Sequence, residues 1–112
     1  PRTSSAASDV YKRQILNMKG YIVSVYESIK DNDALKNYAF KAREAVKKYD
    51  GKFLIRGGEK ITTEGNEFVR TAVIEFSSFD QAKKFFYSSE YQAAHELLKD
   101  TVVRHHQIIE GS

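Results

Sequence analysis

The chain has 112 residues, with 18 Lys and Arg against 15 Asp and Glu, 41% hydrophobic residues, and neither Cys nor Trp. This length predicts one domain with a single core and a small or shared pocket, and the lack of Cys excludes disulfides, thiolate zinc sites and cysteine nucleophiles. Because the net charge is only +3 and no apolar run approaches the roughly 20 residues that span a bilayer, we expect a soluble protein. The lack of Cys is compatible with a reducing compartment, and we expect a cytoplasmic location.

Residues 1–17 differ in composition from the rest of the chain. They precede the only Met, Met18, and residues 3–8 are a low-complexity run of Thr, Ser and Ala. Residues 9–14 also match the translation of a transposase-adaptor sequence of the kind left at contig ends. We therefore expect 1–17 to be a disordered or non-native leader, a sequence artefact, and 18–112 to form a single domain. That domain has 15 basic and 14 acidic residues.

The first half of the domain predicts a strand, a helix and a second strand. Residues 20–26 are rich in aromatic and β-branched residues and too short for a helix, which indicates a strand. After possible N-caps at 31–33, apolar residues recur at helical spacing. They are Leu35, Tyr38, Ala39, Ala42, Val46 and Tyr49. Asp50 and Gly51 then supply a stop, with Gly51 available for a left-handed cap, before a second strand at 52–56.

The second half predicts two more strands and a broken helix. Glycines within 57–65 indicate a hairpin-like excursion before a long third strand at 68–76. Two possible capping boxes, Ser78 with Gln81 and Ser89 with Gln92, predict helical segments at 79–87 and 90–99 that break near Ser88. A fourth strand ends at 106–110. Residues 101–104 fit either that strand or the preceding loop.

This order of elements is the split βαβ order of an α+β, ferredoxin-like fold, with two helices on one face of a four-stranded antiparallel sheet. The other face should be polar in a monomer. However, Val73 points away from Ile74, and Val23 points away from Ile22, so both faces carry apolar residues. We therefore expect a homodimer that packs sheet against sheet.

Seven ordered blocks of the sequence resemble one family. The most specific is Phe-Tyr-Ser-Ser-Glu-Tyr-Gln at 86–92, and the others lie at 49–51, 53–58, 64–65, 73–76, 82 and 109–111. Through these blocks, residues 18–111 resemble the domain of unknown function 1330 family. The resemblance implies a ferredoxin-like dimeric α+β barrel and brings no settled activity.

Two charged residues of the predicted sheet are candidate site residues. Glu75 lies between two apolar residues and would have to be paired, hydrated or neutralised. Arg56, near the end of the second strand, could pair with Glu75 or could hold an anionic substrate with its planar guanidinium. A structural salt bridge or a solvated strand end is the simpler interpretation.

Histidine and tyrosine supply the remaining candidates. His105 and His106 should point to opposite faces of a strand and so cannot chelate one ion, and we predict no metal site. His106 could still act as a titrating base, although a surface or interface role is simpler. A cleft between sheet and helices could be lined by five tyrosines with their hydroxyls pointing inward, although such aromatic residues are more often core. They are Tyr21, Tyr26, Tyr38, Tyr87 and Tyr91, of which Tyr87 and Tyr91 are the candidate binding residues.

Two other classes of protein are disfavoured. The glycines at 57, 58 and 65 lack the spacing and the following helix of dinucleotide or phosphate loops, so no cofactor is predicted. The third strand lacks the exposed stacking aromatics of an RNA-recognition motif, and the lysine-rich helix face is interspersed with Glu44. We expect neither a nucleic-acid nor a membrane partner.

Two classes of function stay open. One is a dimer that binds a small, acidic or aromatic metabolite between sheet and helices, with Arg56, Tyr87 and Tyr91 as binding residues. The other is a cofactor-free enzyme of monooxygenase, isomerase or lyase type, with Glu75 and His106 as catalytic candidates. The second rests on an analogy of fold.

Overall fold

The computed structural model describes residues 18–112, and the leader predicted at 1–17 lies outside the described residues. The elements in chain order are β1 (Gly20–Ile29), α1 (Asn32–Lys48), β2 (Lys52–Arg56), β3 (Arg70–Phe76), α2 (Phe79–Phe86), α3 (Ser89–Glu96) and β4 (Val102–Glu110). The strands form one antiparallel sheet in the order β2-β3-β1-β4, which confirms the predicted α+β architecture. Within this part of the chain, no helix has the length and apolar content needed to cross a membrane.

Helix α1 begins and ends through local side-chain and backbone chemistry. The carboxylate of Asp31 accepts hydrogen bonds from the backbone N–H groups of Asp33 and Ala34, at 3.0 and 3.1 Å. At the other end, Asp50 takes the left-handed conformation, with φ of 59°, so the prediction of a left-handed Gly51 is wrong. Gly51 is required for a different reason: a Cβ there would lie 2.7 Å from the ring of Phe76.

The predicted helix break near Ser88 is confirmed. Ser88 caps α3 by accepting a hydrogen bond from the N–H of Tyr91 at 3.1 Å, and its hydroxyl donates to the carbonyl of Phe85 at 2.6 Å. The prediction that Ser89 caps this helix is therefore wrong by one residue. Since the Ser88 hydroxyl contacts both helices, it fixes the position of the first turn of α3 against the end of α2.

Strand lengths differ from the sequence prediction where pairing partners extend or end a strand. β1 runs to Ile29 because β4 continues to pair with it beyond an irregularity after Tyr26. β4 starts at Val102, which places 102–104 in the strand and Thr101 in the turn before it. β3 starts at Arg70 rather than at residue 68, and residues 57–69 form an irregular connection.

The core lies between the helices and one face of the sheet. Its largest fully buried side chains are Tyr91, Phe76, Phe85, Ile22 and Val46. Burying each of the apolar ones stabilises the fold by about 1.5–3 kcal/mol. Helices α2 and α3 supply two of these five side chains, so the segment around the helix break is tied directly to the core.

The register divides the helix-covered face of the sheet into an apolar end and a polar end. At the apolar end, Ile22 lies opposite Ile74 on β3 and Ile108 on β4. Four residues further along β1, Tyr26 lies between Arg70 on β3 and Arg104 on β4. The pairing of strands thus collects cationic side chains at one end of the face that the helices cover.

The opposite face of the sheet, here called the open face, carries the alternate residues. Val23 and Val73 lie opposite each other in its centre and are only half-buried. Large apolar side chains around them are exposed: Leu54, Ile55, Val103 and Ile109. No helix of the described chain covers this face, in agreement with the expectation that both faces are apolar.

Candidate functional site

Arg104 on β4 is the centre of the polar end of the helix-covered face. Its Nη1 atom donates hydrogen bonds to the hydroxyl oxygens of Tyr26 at 2.9 Å and Tyr38 at 3.4 Å. Its Nη2 atom donates to the hydroxyl oxygen of Tyr91 at 3.0 Å. The hydroxyls of Tyr38 and Tyr91 share a further hydrogen bond of 2.8 Å. We call Tyr26, Tyr38 and Tyr91 the tyrosine cluster.

The tyrosine cluster is assembled from three separate elements. Tyr26 is directly opposite Arg104 in the pairing of β1 with β4. Tyr38 comes from the buried side of α1, and Tyr91 lies in the first turn of α3, where Ser88 holds its backbone. Burial raises the pKa of Tyr38, so its hydroxyl stays protonated and neutral. The cluster therefore positions the guanidinium without neutralising it.

Arg104 is a half-buried cation without an anionic partner among the described residues. The salt bridges recorded for 18–112 join Lys48 to Glu90 and Lys60 to Glu67, and neither includes Arg104. Burial by itself lowers the pKa of Arg104, but the surrounding tyrosine hydroxyls raise it on balance, so the side chain stays charged. The three hydrogen bonds to the tyrosine cluster compensate part of the cost of placing this charge outside bulk water. Residues 18–112 supply no counter-charge, so the site is suited to receive an anion.

A cavity of about 300 Å³ opens beside Arg104, between β4 and the end of α3 with the turn that follows it. Leu98 and Val102 contribute apolar surface to it. A guanidinium carries five N–H donors, and the tyrosine cluster engages three of them. The remaining donors have no partner within residues 18–112, and Arg104 lines the cavity.

His106 lines the same cavity and lies on the same side of β4 as Arg104, two residues away. Its ring is parallel to that of Tyr91, with the centroids 6.3 Å apart. Burial lowers the pKa of His106 to about 3, and the charges of Arg104, His95 and His105 act in the same direction. The imidazole is therefore neutral at physiological pH and can donate or accept a hydrogen bond.

His95 on α3 completes the imidazole side of the cavity. Its ring stacks on Tyr91 with the centroids 5.8 Å apart, and burial, with a smaller effect from Arg104, lowers its pKa. His95 is not among the site residues predicted from the sequence. Arg104 was not predicted either, because it lies in the segment 101–104 that fitted both a strand and a loop.

Arg56 lies in a different cavity on the same face of the sheet. Its guanidinium packs over the ring of Phe53, 4.4 Å from the centroid. This second cavity is lined by Tyr26 and Tyr38 but not by Arg104 or His106. The structure therefore separates Arg56 from the other binding candidates.

Glu75 and Tyr87 also lie away from Arg104. Glu75 is on the open face, where the hydroxyl of Tyr21 donates to its carboxylate at 3.2 Å. Arg56 pairs with Ala72 on the helix-covered face, so the suggested pairing of Arg56 with Glu75 is wrong. Tyr87 is 71% exposed and lines neither of these two cavities. Of the predicted site residues, the structure brings together His106 and Tyr91.

The two adjacent histidines point to opposite faces, as their spacing in a strand requires. His105 is exposed, with its Nε2 atom 3.0 Å from the side-chain nitrogen of Gln107. In the described part of the chain, no three His, Cys, Asp or Glu side chains come together in a way that could hold a metal ion.

Solved structures with the same fold differ widely in sequence from this chain. A protein of unknown function from Rhodopseudomonas palustris has a TM-score of 0.64 at 12% identity, covering 91% of this chain and 89% of its own. A dimeric protein of unknown function with a ferredoxin-like fold from Bacteroides fragilis has a TM-score of 0.51 at 20% identity, covering 84% and 96%. Both are similar to this chain in fold, which confirms the ferredoxin-like prediction.

An enzyme also shares this fold. A variant of SnoaB, a cofactor-independent oxygenase from Streptomyces nogalater, has a TM-score of 0.54 at 8% identity, covering 83% of this chain and 91% of its own. At this identity the likeness concerns the fold alone.

The comparison with family models covers almost the whole described domain. A search of curated proteins finds no match. The model of the domain of unknown function DUF1330 matches residues 19–112. The match agrees with the resemblance in the seven sequence blocks, and the chain belongs to the DUF1330 family.

Proposed function

We propose that this domain binds a small organic anion against Arg104, in the cavity beside β4. The observation that carries the proposal is the guanidinium of Arg104, which hydroxyl groups hold in place and which no carboxylate of the described chain neutralises. A ligand carboxylate would supply the missing charge. It would also accept the donors that the tyrosine cluster leaves unused.

The shape and lining of the cavity favour a carboxylate with an apolar or aromatic body. A volume of about 300 Å³ is at the lower end of the range for small-molecule sites. Leu98, Val102 and the two imidazole rings offer apolar and stacking surface, and Lys99 adds a second cation to the lining. Glu96 also lines the cavity and disfavours a ligand with further negative charge near it.

His106 complements Arg104 as a neutral hydrogen-bonding group. Because its imidazole is uncharged at physiological pH, it would contribute a directional hydrogen bond to the ligand and no additional charge. A bound anion would raise the pKa of His106 from its value of about 3, since negative charge beside an imidazole favours its protonated form. Binding should therefore tighten as the pH is lowered through the raised pKa that His106 has in the complex and toward its pKa of about 3 in the free protein, as long as the ligand keeps its charge.

A calorimetric titration with benzoate tests this proposal, and benzamide serves as the uncharged control of the same shape. We expect benzoate to bind and benzamide to bind at least tenfold more weakly, because a charge-assisted hydrogen bond contributes about 1.5–3 kcal/mol. Arg104→Lys should lower benzoate affinity by a similar factor, since an ammonium cannot form the planar bidentate contact. Lys47→Ala, on an exposed position of α1, should leave it unchanged. Equal affinity for the two probes would contradict the proposal.

A second candidate function is a cofactor-free enzyme. The observation that favours it is that the imidazole of His106 shares a cavity with Arg104, so a ligand held by the cation would reach a potential proton acceptor. Incubation with the small-molecule fraction of a cell extract separates the two functions. Catalysis predicts a metabolite consumed and a product formed, with both changes lost in His106→Phe. Binding alone predicts that every metabolite is recovered unchanged.

We also propose that the domain forms a homodimer through its open face. The support is the half-buried pair Val23 and Val73, surrounded by exposed apolar side chains on a face that no element of residues 18–112 covers. A second copy is the simplest cover, because a two-fold axis places the same apolar patch of each copy against the other. In that arrangement, the cavity beside Arg104 in each of the two copies lies on the outer, helix-covered side of the dimer.

A further inference from the structure

A second cavity, of about 80 Å³, lies between α1 and the strands β1, β2 and β3. Its walls are mainly apolar, with Ala42 from α1 and Phe53, Ala72 and Ile74 from the sheet. Three arginines also line it: Arg43, Arg56 and Arg70. We call this feature the arginine cleft. The residues that line this cavity differ from those that line the cavity beside Arg104. Tyr26 and Tyr38 line the arginine cleft and hold Arg104 through their hydroxyls, so they form the wall between the two cavities.

The three arginines come from three elements, and local contacts hold two of them in place. Arg56, at the end of β2, packs over the ring of Phe53. Arg70, at the start of β3, lies over Gly57, where a Cβ would come within 2.6 Å of its Nη1 atom. Gly57 also has φ of 75°, which favours glycine. The Gly57 turn therefore leaves room for the guanidinium of Arg70 against the backbone that directly follows Arg56.

The arginine cleft holds positive charge without a matching carboxylate. Among residues 18–112, the lining of the cavity includes neither Asp nor Glu, and none of the three arginines takes part in a recorded salt bridge. Cations brought close together repel each other, and the repulsion is relieved when an anion binds between them. Arg70 is half-buried, so its charge is screened less by solvent than those of the exposed Arg43 and Arg56.

The size and lining of the arginine cleft also indicate which kind of anion it could bind. Its volume of about 80 Å³ has room for a few non-hydrogen atoms, and Ala42, Ala72 and Ile74 give it an apolar wall. A short alkyl chain fits that space and would contact the apolar wall, whereas a fully polar ion would make no favourable contact with it. We propose that the arginine cleft is a second ligand site, which takes a short-chain monocarboxylate with its carboxylate on Arg56 and Arg70 and its alkyl chain against Ala42.

Side-chain NMR of the full domain with propionate tests this proposal, and propionamide is the uncharged control. We expect propionate to shift the Nε–Hε signals of Arg56 and Arg70 and the methyl signal of Ala42 to saturation in the millimolar range. Propionamide should shift none of them. The double variant Arg56→Gln with Arg70→Gln should weaken propionate at least tenfold, while Lys41→Gln, an exposed cation of α1, should not.

Two further arms keep the test independent of folding and of the site at Arg104. Ala39 lines the cleft from an exposed position on α1, so Ala39→Leu should fill the cavity and abolish the propionate shifts without unfolding the protein. Lys99→Gln, which changes the lining of the cavity beside Arg104 only, should leave those shifts in place. Inorganic phosphate that moves the arginine signals as strongly as propionate, or propionate shifts that leave the Ala42 methyl unmoved, would overturn the proposal of a monocarboxylate site.

Discussion

At the scale of single residues, the molecule places one cation and one neutral imidazole beside each other. Arg104 stays charged because neutral hydroxyls surround it, and His106 stays neutral because burial and that charge oppose its protonation. The charge that prepares Arg104 to bind an anion therefore also makes His106 a weaker base, in addition to the effect of burial. For this reason the site supports anion binding more strongly than proton abstraction by His106.

The neutral state of His106 predicts how stability depends on pH. The pKa of His106 is about 3 in the folded protein and 6.5 in an unfolded chain, so between these pH values the unfolded state binds the extra proton. The free energy of unfolding should fall as pH falls through this window, by at most about 1.4 kcal/mol per pH unit. Urea denaturation from about pH 6.5 to pH 5, above the range of most carboxylates, measures this slope.

The matched variant for this prediction is His106→Gln, which keeps a polar side chain that does not titrate. His95 and His105 are present in both proteins, so the difference between the two slopes belongs to His106. We expect a shallower slope in the variant, with the part that remains coming from His95, whose pKa is also lowered in the fold. The same slope in both proteins would show that His106 is accessible to protons in the fold.

At the scale of elements, the break between α2 and α3 connects helix capping to the site. Ser88 accepts from the N–H of Tyr91 and donates to the carbonyl of Phe85, and the Tyr91 hydroxyl in turn holds Arg104. The cap is therefore part of the path that positions the cation. Asp31, which caps α1 from an exposed position, has no such connection.

Two capping variants separate stability from positioning. Ser88→Ala should lower the free energy of unfolding by about 1–2 kcal/mol, and Asp31→Ala by about 1 kcal/mol, because each loses a helix cap. Only Ser88→Ala should also weaken benzoate binding, since it releases the first turn of α3 that carries Tyr91. Chemical denaturation and calorimetry measure the two effects. A loss of benzoate affinity in Asp31→Ala equal to that in Ser88→Ala would contradict the claim that Ser88 positions Arg104 through Tyr91.

Element types were predictable from the sequence, whereas the partners across the sheet were not. Alternation along β4 correctly separates His105 from His106, and the same alternation puts Arg104 beside His106 once residues 102–104 are known to be strand. Arg56 and Glu75 could not be placed in the same way. An irregularity between Phe53 and Ile55 shifts the register of β2, and register depends on tertiary pairing rather than on local pattern.

The tyrosine cluster shows a second limit of sequence-based prediction. Tyr26 and Tyr91 are 65 residues apart in the sequence, and Tyr38 lies between them. The three hydroxyls meet at one guanidinium because the three elements that carry them pack together in the fold. Apolar periodicity correctly predicted that Tyr38 faces the core. It carried no information about which cation the hydroxyl would meet.

At the scale of the whole molecule, the open face predicts the assembly. Val73→Asp would place an unpaired charge at the centre of the proposed interface, which is costly when buried. We expect this variant to remain folded but to sediment as a monomer, because Val73 is only half-buried in the single chain. Lys36→Asp, on an exposed position of α1, should sediment like the wild type.

Ile74 is unsuitable for the same experiment because it is 9% exposed and belongs to the core under the helices. Ile74→Asp is expected to unfold the chain rather than to divide a dimer. A wild-type protein that sediments as a monomer at micromolar concentration would contradict the proposed homodimer, whatever the behaviour of the variants.

Titration of the protein with benzoate, followed by the side-chain NMR signal of Arg104, tests the proposed anion site most directly. We expect the Nε–Hε signal of Arg104 to shift to saturation together with the ring signals of His106, and benzamide at the same concentration to shift both far less. An Arg104 signal that does not move with benzoate, or that moves equally with benzamide, would contradict the claim that this half-buried cation binds an organic anion.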